Sequence, residues 1–335
     1  MIKRVLFFSL KIFLFYSVIF IEFRNLLFDL GLFKKRKFSK KIISIGNLSM
    51  GGTGKTPVAE YLIQLLSSKY KVALLSRGYK SSNNVFHEIK EDDNPFVYGD
   101  EAVQVKKKNP FCSVFVCKNK IQGITKIIRQ HKEIDIILLD DGYQKRSIKF
   151  DLNILLIDEK DYYDKIFPFG KLREPIYRYT RADLIIYTKS SSNISLKLAK
   201  QQFAFYSNVG YSKFMDFSYN PCIQDLSNYD CLAVSGIAKP HYFNDFLKFK
   251  FNIVKVMNFG DHHLYKEDDV KNILHKYQAM KSENKVIIVT EKDYVKLNSE
   301  EFKDKFIDIP IYVLPIYFKF DDEKRMSKLI FKHVE

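Results

Sequence analysis

From residue 41 onward, short runs of consecutive apolar residues alternate with segments of helical spacing. Runs that lack polar alternation are typical of strands covered on both faces. The first set of predicted strands is 41–47, 71–76, 134–141, 152–158 and 182–188. Between the first two, apolar residues recur at helical spacing after Pro57, which is a helix-start signal. This order predicts an α/β protein with a doubly wound parallel sheet.

A second set of apolar runs begins near residue 230 and predicts a smaller α/β domain that closes over the first. Its elements are strands at 231–236, 251–259, 285–290 and 309–318, with helices around 239–250 and 267–281. The stretch 205–230 shows neither pattern, so we interpret it as irregular and as the domain boundary. We therefore expect a helix and basic cluster at 1–37, a core domain at 38–215 and the smaller domain at 216–335.

The N-terminal residues 5–21 are apolar and aromatic, interrupted by Lys11 and followed by the basic cluster 34–37. A spanning helix needs about 20 apolar residues, and a lysine at mid-bilayer costs about 2.5–3.5 kcal/mol. No small-residue cleavage site of a signal peptide follows. We expect an uncleaved helix lying in, or shallowly entering, one leaflet, with the cluster on anionic head groups. The alternative is an ordinary buried helix.

The net charge of +16 indicates acidic partners, although a lysine-rich overall composition accounts for part of it. Nucleic acid is not expected as a partner, because the basic residues do not gather into a recognised binding module. The four cysteines lack the spacing of a zinc knuckle or redox dithiol. They are interpreted as reduced thiols.

A glycine-rich segment follows the first predicted strand and opens the first helix. It consists of Ser49, Met50, Gly51, Gly52, Thr53, Gly54, Lys55 and Thr56. Glycines there let backbone N–H groups wrap a phosphate at a helix N-terminus. Lys55 is then expected to reach the β- and γ-phosphates, and Thr56 to offer its hydroxyl to Mg²⁺. The alternative, a glycine-rich turn, does not account for the Lys-Thr pair in this position, so we predict nucleoside triphosphate binding.

Two acids, Asp140 and Asp141, end a predicted central strand. An acid after an apolar strand is suited to hold Mg²⁺ beside a phosphate loop, and a second acid can act as a base. The alternative is a simple Asp-Gly turn at the strand end. Asp100 is a further candidate metal ligand, although such acids are more often helix caps. His262 lies in an Asp-His-His run and is a candidate catalytic residue or a structural histidine.

The loop 167–181 carries Arg173, Arg178 and Arg181. Guanidinium groups can bind a phosphate through two parallel hydrogen bonds. The alternative is a solvated basic loop.

Taken together, these segments resemble the tetraacyldisaccharide 4'-kinase family, the lipid A 4'-kinases of Gram-negative bacteria. The matching pieces are GNLSMGGTGKTP (46–57), LSRGY (75–79), GDEA (99–102), LDDGYQ (139–144), FGKLREP (169–175), VSGIAKP (234–240), DHH (261–263) and TEKD (290–293). They occur in family order over most of the chain. The resemblance implies a P-loop NTPase-like core that phosphorylates the 4'-hydroxyl of a tetraacyldisaccharide 1-phosphate, using ATP and Mg²⁺. It also implies a location at the cytoplasmic face of the inner membrane, peripheral or monotopic, and we expect a monomer.

By position, the resemblance implies that the loop wraps the ATP phosphates and that Lys55, Asp141 and His262 are catalytic. Asp141 is expected to be the base and His262 to orient it. Thr56, Asp100 and Asp140 are implied as metal ligands, and the implied acceptor-binding residues are Tyr79, Gln144, Arg173 and Glu174. Lys145 stands where the family usually has histidine, which removes a possible proton carrier. A rival interpretation is a membrane-surface NTPase switch, which hydrolyses nucleotide without an acceptor.

Overall fold

The computed structural model describes residues 19–78, 85–188 and 196–335. The described residues form two compact units. The first comprises those up to Arg77, then Asn119–Val209 and Phe318–Glu335; the second comprises those in Gly78–Lys118 and Gly210–Tyr317. This division differs from the predicted boundaries, because 78–118 group with the later part of the chain and the C-terminal segment returns to the first unit.

The strands and helices are as follows in chain order. The strands are β1 (Lys41–Asn47), β2 (Val72–Ser76), β3 (His87–Glu88), β4 (Ser113–Val116), β5 (Ile136–Asp140), β6 (Leu152–Asp158), β7 (Leu184–Thr188), β8 (Phe203–Tyr211), β9 (Asp230–Ser235), β10 (Val254–Asn258), β11 (Lys285–Thr290), β12 (Ile311–Leu314) and β13 (Ile316–Phe320). The helices are α1 (Lys55–Leu66), α2 (Pro95–Tyr98), α3 (Asp100–Lys108), α4 (Lys120–Gln130), α5 (Glu159–Tyr162), α6 (Pro240–Lys250), α7 (Glu267–Gln278), α8 (Glu291–Leu297) and α9 (Glu323–Val334). Two 3₁₀ helices span Ile176–Arg181 and Lys303–Phe306.

The first unit is built on a parallel sheet in which strands run in the order β8-β7-β6-β1-β5-β2. Its central strand β1 is buried from Ile42 to Asn47, and the α1 side chains Val58 and Leu62 are fully buried. Each such side chain contributes about 1.5–3 kcal/mol of hydrophobic free energy. The predicted α/β class and parallel sheet are confirmed. Ile45 pairs with Asp140 in register, which places that acid at the carboxyl edge of the sheet.

The second unit contains a separate parallel sheet of order β10-β9-β11-β12 and a short antiparallel pair, β3 and β4. Helices α6, α7 and α8 follow strands β9, β10 and β11 in turn. Cys231, Phe243 and Ile288 are among the buried residues of its core. The predicted smaller α/β fold is therefore present, with additional elements from residues 85–118.

Two elements differ from the predictions. The stretch 205–230, predicted irregular, contains most of β8, which pairs in parallel with β7. The single strand predicted at 309–318 is interrupted at Pro315, which separates β12 from β13. Proline has no N–H to donate to a strand ladder, so the interruption has a direct physical cause.

Most of the predicted N-terminal helix, 5–21, lies outside the described residues. Residues 19–29 are helical, and this segment presents Glu22 and Asp29 to arginine side chains of the first unit. Arg146 and Arg178 bind this segment through ion pairs. Across residues 19–78, 85–188 and 196–335, no helix combines the length and apolar character that crossing a membrane requires.

Candidate functional site

The glycine-rich loop connects β1 to α1, as predicted. Gly51 and Gly54 have φ angles of 141° and 89°, in the region that favours glycine. Gly54 is the residue before α1, and its left-handed backbone turns the chain into the helix. A helix that starts in this way directs its first N–H groups toward the loop, which suits an anion at that position.

Lys55, the first residue of α1, contacts two side chains of the first unit, those of Asn47 and Asp141. Its Nζ donates to Asn47 Oδ1 at 3.3 Å and lies 3.7 Å from Asp141 Oδ1. Asn47 also donates to the carbonyl oxygen of Gly51 at 3.3 Å. The ammonium group is thereby held over the loop, and the structure brings together the predicted loop and one predicted catalytic acid.

Asp141 is held by two cations, Lys55 and Arg173. Arg173 Nη1 donates to its carboxylate oxygens at 3.0 and 2.9 Å. Burial alone would raise the pKa of Asp141, but the charges of Lys55 and Arg173 outweigh it and hold the pKa below its usual value. Asp141 also has a φ of 53°, an uncommon backbone conformation for a non-glycine residue. A carboxylate stabilised in this way is a weak proton acceptor and a strong electrostatic anchor.

The loop that carries Arg173 pairs with the glycine-rich loop through its backbone. Arg173 N–H donates to the carbonyl oxygen of Leu48 at 2.6 Å, and Met50 N–H donates to that of Lys171 at 2.7 Å. Ser49 and Leu172 form an antiparallel bridge between these bonds. The predicted phosphate loop and the predicted arginine loop are therefore joined by backbone hydrogen bonds within the first unit.

The predicted acceptor-binding residues have different environments. Gln144 donates to the carbonyl oxygen of Asn47 at 2.7 Å and lies 3.4 Å from Arg173 Nη1, so it joins the Lys55 group. Glu174 is only 1% exposed and accepts from Arg181 at 2.5 Å. Glu174 therefore stabilises the loop from inside. Tyr79 lies outside the described residues.

The cations of the arginine loop are bound within the chain. Arg178 pairs with Glu22 and Asp29, both at 2.6 Å, and Arg181 pairs with Glu174. The alternative of a solvated basic loop does not describe these two side chains, because each is less than one-sixth exposed. Their ion pairs orient the loop and the N-terminal helical segment.

Asp140 and Thr56 offer oxygen atoms in the first unit, of the type that Mg²⁺ prefers. Asp140 ends β5 and accepts from Ser76 Oγ at 3.0 Å, while Thr56 follows Lys55 in the first turn of α1. In the part of the chain that the structure describes, no three His, Cys, Asp or Glu side chains cluster as metal ligands. Mg²⁺ typically uses one or two protein ligands together with substrate phosphates, so Asp140 and Thr56 fit such a site.

Asp100 belongs to the second unit, where it is the first residue of α3. His262 Nδ1 lies 3.0 Å from Asp100 Oδ2, and Lys296 Nζ lies 3.1 Å from the same oxygen. Burial alone would raise the pKa of Asp100, yet the His262 hydrogen bond and the charge of Lys296 hold it well below its usual range. The structure thus gives Asp100 an imidazole and an ammonium as partners, and its metal-binding role stays a prediction.

The pair of Asp100 and His262 is a carboxylate beside an imidazole, an arrangement that catalytic residues often use. His262 Nδ1 lies 3.3 and 3.0 Å from the two carboxylate oxygens of Asp100. The sequence predicted that His262 orients Asp141, and that pairing also stays a prediction.

Two residues near the Lys55 group were not identified from the sequence. Asn47 is the last residue of β1 and directly precedes the loop, so its position was the available signal. Lys120 is 3% exposed, donates to the carbonyl oxygen of Leu75 at 2.9 Å, and contributes to lowering the pKa of Asp141. No sequence pattern distinguished it from the other lysines.

Comparison with known proteins gives consistent results. Residues 6–335 match the family described as tetraacyldisaccharide-1-P 4'-kinase. The chain is 38% identical over 306 residues to the tetraacyldisaccharide 4'-kinase of Flavobacterium johnsoniae, covering 88% of this chain and 86% of that protein. It is 37% identical over 328 residues to the protein of the same name from Flavobacterium psychrophilum, covering 93% and 92%.

A crystal structure of LpxK from Aquifex aeolicus in complex with ATP has a similar fold. Its TM-score is 0.80 at 28% sequence identity, and the match covers 98% of this chain and 99% of that one. The family match, the relatives and the shared fold agree over nearly the whole length. The chain therefore belongs to the tetraacyldisaccharide-1-phosphate 4'-kinase family.

Proposed function

We propose that this chain transfers the γ-phosphate of ATP to the 4'-hydroxyl of a tetraacyldisaccharide 1-phosphate, as a step of lipid A biosynthesis. The observation that carries this function is the position of Lys55, which is held by Asn47 and Asp141 at the start of α1. A lysine fixed at a glycine-rich helix start binds the β- and γ-phosphates of a nucleotide. Membership in a kinase family identifies the reaction that uses them.

The first unit binds the triphosphate. Backbone N–H groups of Ser49–Thr56 surround the phosphates, and Lys55 neutralises charge that develops between the β- and γ-phosphates. Thr56 and Asp140 would hold Mg²⁺, which would supply charge neutralisation at the phosphate oxygens when bound. Asp141 keeps Lys55 and Arg173 in place, because both cations bind its carboxylate.

The acceptor hydroxyl requires a base. Its oxygen forms a bond to the γ-phosphorus, the bond from that phosphorus to the bridging oxygen of ADP breaks, and the hydroxyl proton passes to the base. The base predicted from the sequence is Asp141, on the unit that binds the triphosphate. Lys55 and Arg173 lower its pKa and so keep its carboxylate ionised, as a base must be, although they also make it a weak one. The catalytic role of His262 stays a prediction.

Arg173 and Gln144 are the proposed contacts of the acceptor on the first unit. Arg173 is about one-third exposed and projects from the loop that pairs with Leu48 and Met50. A guanidinium in that position can bind a sugar phosphate or hydroxyl while it also holds Asp141.

The acceptor is a lipid, so we propose that the N-terminal helical segment contacts the cytoplasmic face of the inner membrane. Its large apolar side chains are exposed, among them Phe20 at 69% and Phe23 at 57%. The basic cluster 34–37 follows the helix and suits anionic head groups, at about 1 kcal/mol for each cation near the surface.

The test is transfer of label from γ-labelled ATP to purified disaccharide 1-phosphate in detergent micelles. Label in the lipid is the expected result, and it should be lost in Lys55→Met. The Lys69→Met variant replaces a lysine that packs over Phe331 and serves as the control. Release of labelled phosphate alone, at a rate independent of the lipid, would contradict the kinase and support an NTPase switch.

A further inference from the structure

The turn 141–146, which follows β5, contacts the N-terminal helical segment 19–29 through one of its own side chains. Arg146 is buried, and its guanidinium donates to the carbonyl oxygen of Asn25 at 2.6 Å and forms an ion pair with Asp29. A buried guanidinium needs such acceptors, because an unpaired buried charge is strongly unfavourable. The turn therefore holds the segment directly.

Tyr143, in the same turn, reaches the segment through an intermediate residue. Tyr143 is 1% exposed, and its hydroxyl donates to the carbonyl oxygen of Arg178 at 2.6 Å. The guanidinium of Arg178 pairs with Glu22 and Asp29 of the segment, both at 2.6 Å. The Arg181 guanidinium covers the aromatic ring of Tyr143, with its central carbon 4.6 Å from the ring centroid. The phenol is thereby fixed in the orientation that joins the turn to the 3₁₀ helix carrying Arg178.

Asp29 closes these two routes into a network. Arg146 donates to Asp29 Oδ1 and Arg178 donates to Oδ2, so one carboxylate lies between two guanidinium groups. Burial would raise the pKa of Asp29, but the hydrogen bonds of the two arginines hold that pKa below its usual value, so the carboxylate is ionised. Without its negative charge the two cations would repel each other. We call these residues, Tyr143, Arg178, Asp29 and Arg146, the Asp29 network.

The network encloses Gln144, a proposed contact of the acceptor. Gln144 lies in the chain between Tyr143 and Arg146, so its backbone is held from both sides by members of the network. Its side chain donates to the carbonyl oxygen of Asn47 at 2.7 Å and accepts from Arg173 Nη1 at 3.4 Å. A displacement of the turn would move this amide, and a misplacement of about 1 Å at a positioning group can reduce turnover about a hundredfold.

We propose that the Asp29 network sets the position of the acceptor-binding turn, so that the turn is correctly placed only while the N-terminal helical segment is docked. Asp29 and Tyr143 are positioning residues, and neither needs to touch the acceptor. The inference rests on the proposed function, in which the segment contacts the membrane and Gln144 contacts the lipid acceptor. Docking of the segment thus couples membrane contact to the geometry of the acceptor site.

The test is a double-mutant cycle with Tyr143→Phe and Asp29→Asn, measured by phosphate transfer at varied lipid and ATP concentrations. Tyr143→Phe removes one hydroxyl and keeps the ring, and it should lower kcat/KM for the lipid by about threefold to tenfold. Asp29→Asn removes the charge that two arginines bind, and it should lower the same quantity by about tenfold or more. KM for ATP should change by less than about twofold in Tyr143→Phe, because the hydroxyl donates to Arg178 and not to the glycine-rich loop.

The coupling between the two substitutions decides the proposal. In the Asp29→Asn background, Tyr143→Phe should cost less than about twofold in kcat/KM for the lipid, since the network is already open. Equal losses in both backgrounds would show that Tyr143 and Asp29 act independently, and that result would overturn the proposal.

Tyr179→Phe is the matched control. Tyr179 lies on the same 3₁₀ helix as Arg178, and its hydroxyl also donates to a backbone carbonyl oxygen, that of Lys197, at 2.8 Å. Its loss should leave kcat/KM for the lipid unchanged, because Tyr179 is outside the network. A loss equal to that of Tyr143→Phe would mean that only the stability of the 3₁₀ helix matters, which would also overturn the proposal.

Amide hydrogen exchange tests the network without a measurement of activity. The Tyr143 hydroxyl donates to Arg178 and not to the segment, so faster exchange of residues 19–29 in Tyr143→Phe would indicate transmission through Arg178. We expect this faster exchange in Tyr143→Phe and not in Tyr179→Phe. Unchanged exchange in Tyr143→Phe would overturn the network even if the wild type transfers phosphate to the lipid. A wild type that labels no lipid would instead refute the proposed function, and faster exchange in Tyr143→Phe would still support the network.

Discussion

Arg173 Nη1 donates to both carboxylate oxygens of Asp141, at 3.0 and 2.9 Å. The backbone N–H of Arg173 donates to the carbonyl oxygen of Leu48, the residue before the glycine-rich loop. One residue therefore links the backbone of the phosphate loop to the acid that holds Lys55. These contacts explain why the arginine loop 167–181, although distant in sequence, lies beside the glycine-rich loop 49–56.

We expect Arg173→Met to lower kcat/KM for the lipid by about a hundredfold, the size found for removing one preorganised donor. Arg173→Lys should recover only part of this loss, because an ammonium cannot reproduce the planar arrangement of donors. The measurement is steady-state phosphate transfer at varied lipid concentration. Arg129→Met, on the exposed side of α4, is the control. Full activity of Arg173→Lys would show that charge alone is sufficient.

The pKa of Asp141 gives a prediction for stability against pH. Because that pKa is lowered in the folded chain, the ionised carboxylate stabilises the fold above its usual pKa of about 4. This contribution is lost as the pH falls through the lowered value. The stability difference between wild type and Asp141→Asn should thus be constant near neutral pH and shrink below about pH 4.

Urea unfolding midpoints measured at several pH values would test this difference. The matched control is Asp268→Asn, since the Asp268 side chain is 91% exposed. A difference between wild type and Asp141→Asn that persists unchanged in acid would mean that Lys55 and Arg173 do not stabilise the ionised form.

Gly54 combines two constraints that can be separated. Its φ of 89° disfavours any L side chain by about 1–2 kcal/mol, and an added Cβ would lie 2.3 Å from Phe318 Cζ. Gly54→Ala should therefore raise KM for ATP and lower the thermal midpoint. In the Phe318→Leu background the penalty of Gly54→Ala should be smaller but still present, because only the steric part is relieved. Equal penalties in both backgrounds would contradict the contact with Phe318.

The strands of the first sheet were predictable because their signal is local. The run 41–47 became β1 with identical bounds, since a covered strand needs only consecutive apolar residues. In β8, serine, asparagine and glycine interrupt the apolar residues, and its burial is mixed. Its strand conformation depends on pairing with β7, which no local pattern records.

The positions of the glycine-rich loop and of Asp140 and Asp141 were predictable for a similar reason. Rules about parallel sheets place the loop and the acids at the end of β5 at the carboxyl edge. The contact between Asp100 and His262 joins residues 162 positions apart, so spacing gives no indication of it. The grouping of residues 78–118 with 210–317 is likewise a long-range property, because composition does not change at residue 78.

Arg146 provides a test of how the N-terminal helical segment is held. Its guanidinium is 5% exposed, donates to the carbonyl oxygen of Asn25 at 2.6 Å and pairs with Asp29. Arg146→Met removes these bonds and should destabilise docking of the segment by about 1.5–3 kcal/mol. Amide hydrogen exchange of residues 19–29 should then become faster, while the strands of the first sheet keep their protection.

The same variant distinguishes docking from membrane contact. If the exposed apolar side chains bind lipid, Arg146→Met should still bind anionic vesicles, because Phe20 and Phe23 are unchanged. Phosphate transfer to the lipid should nevertheless fall, with KM for the lipid rising more than KM for ATP, since the segment no longer holds a fixed position beside Arg178. Loss of vesicle binding together with unchanged exchange rates would show instead that Arg146 itself contacts the membrane and that the ion pair with Asp29 does not anchor the helix.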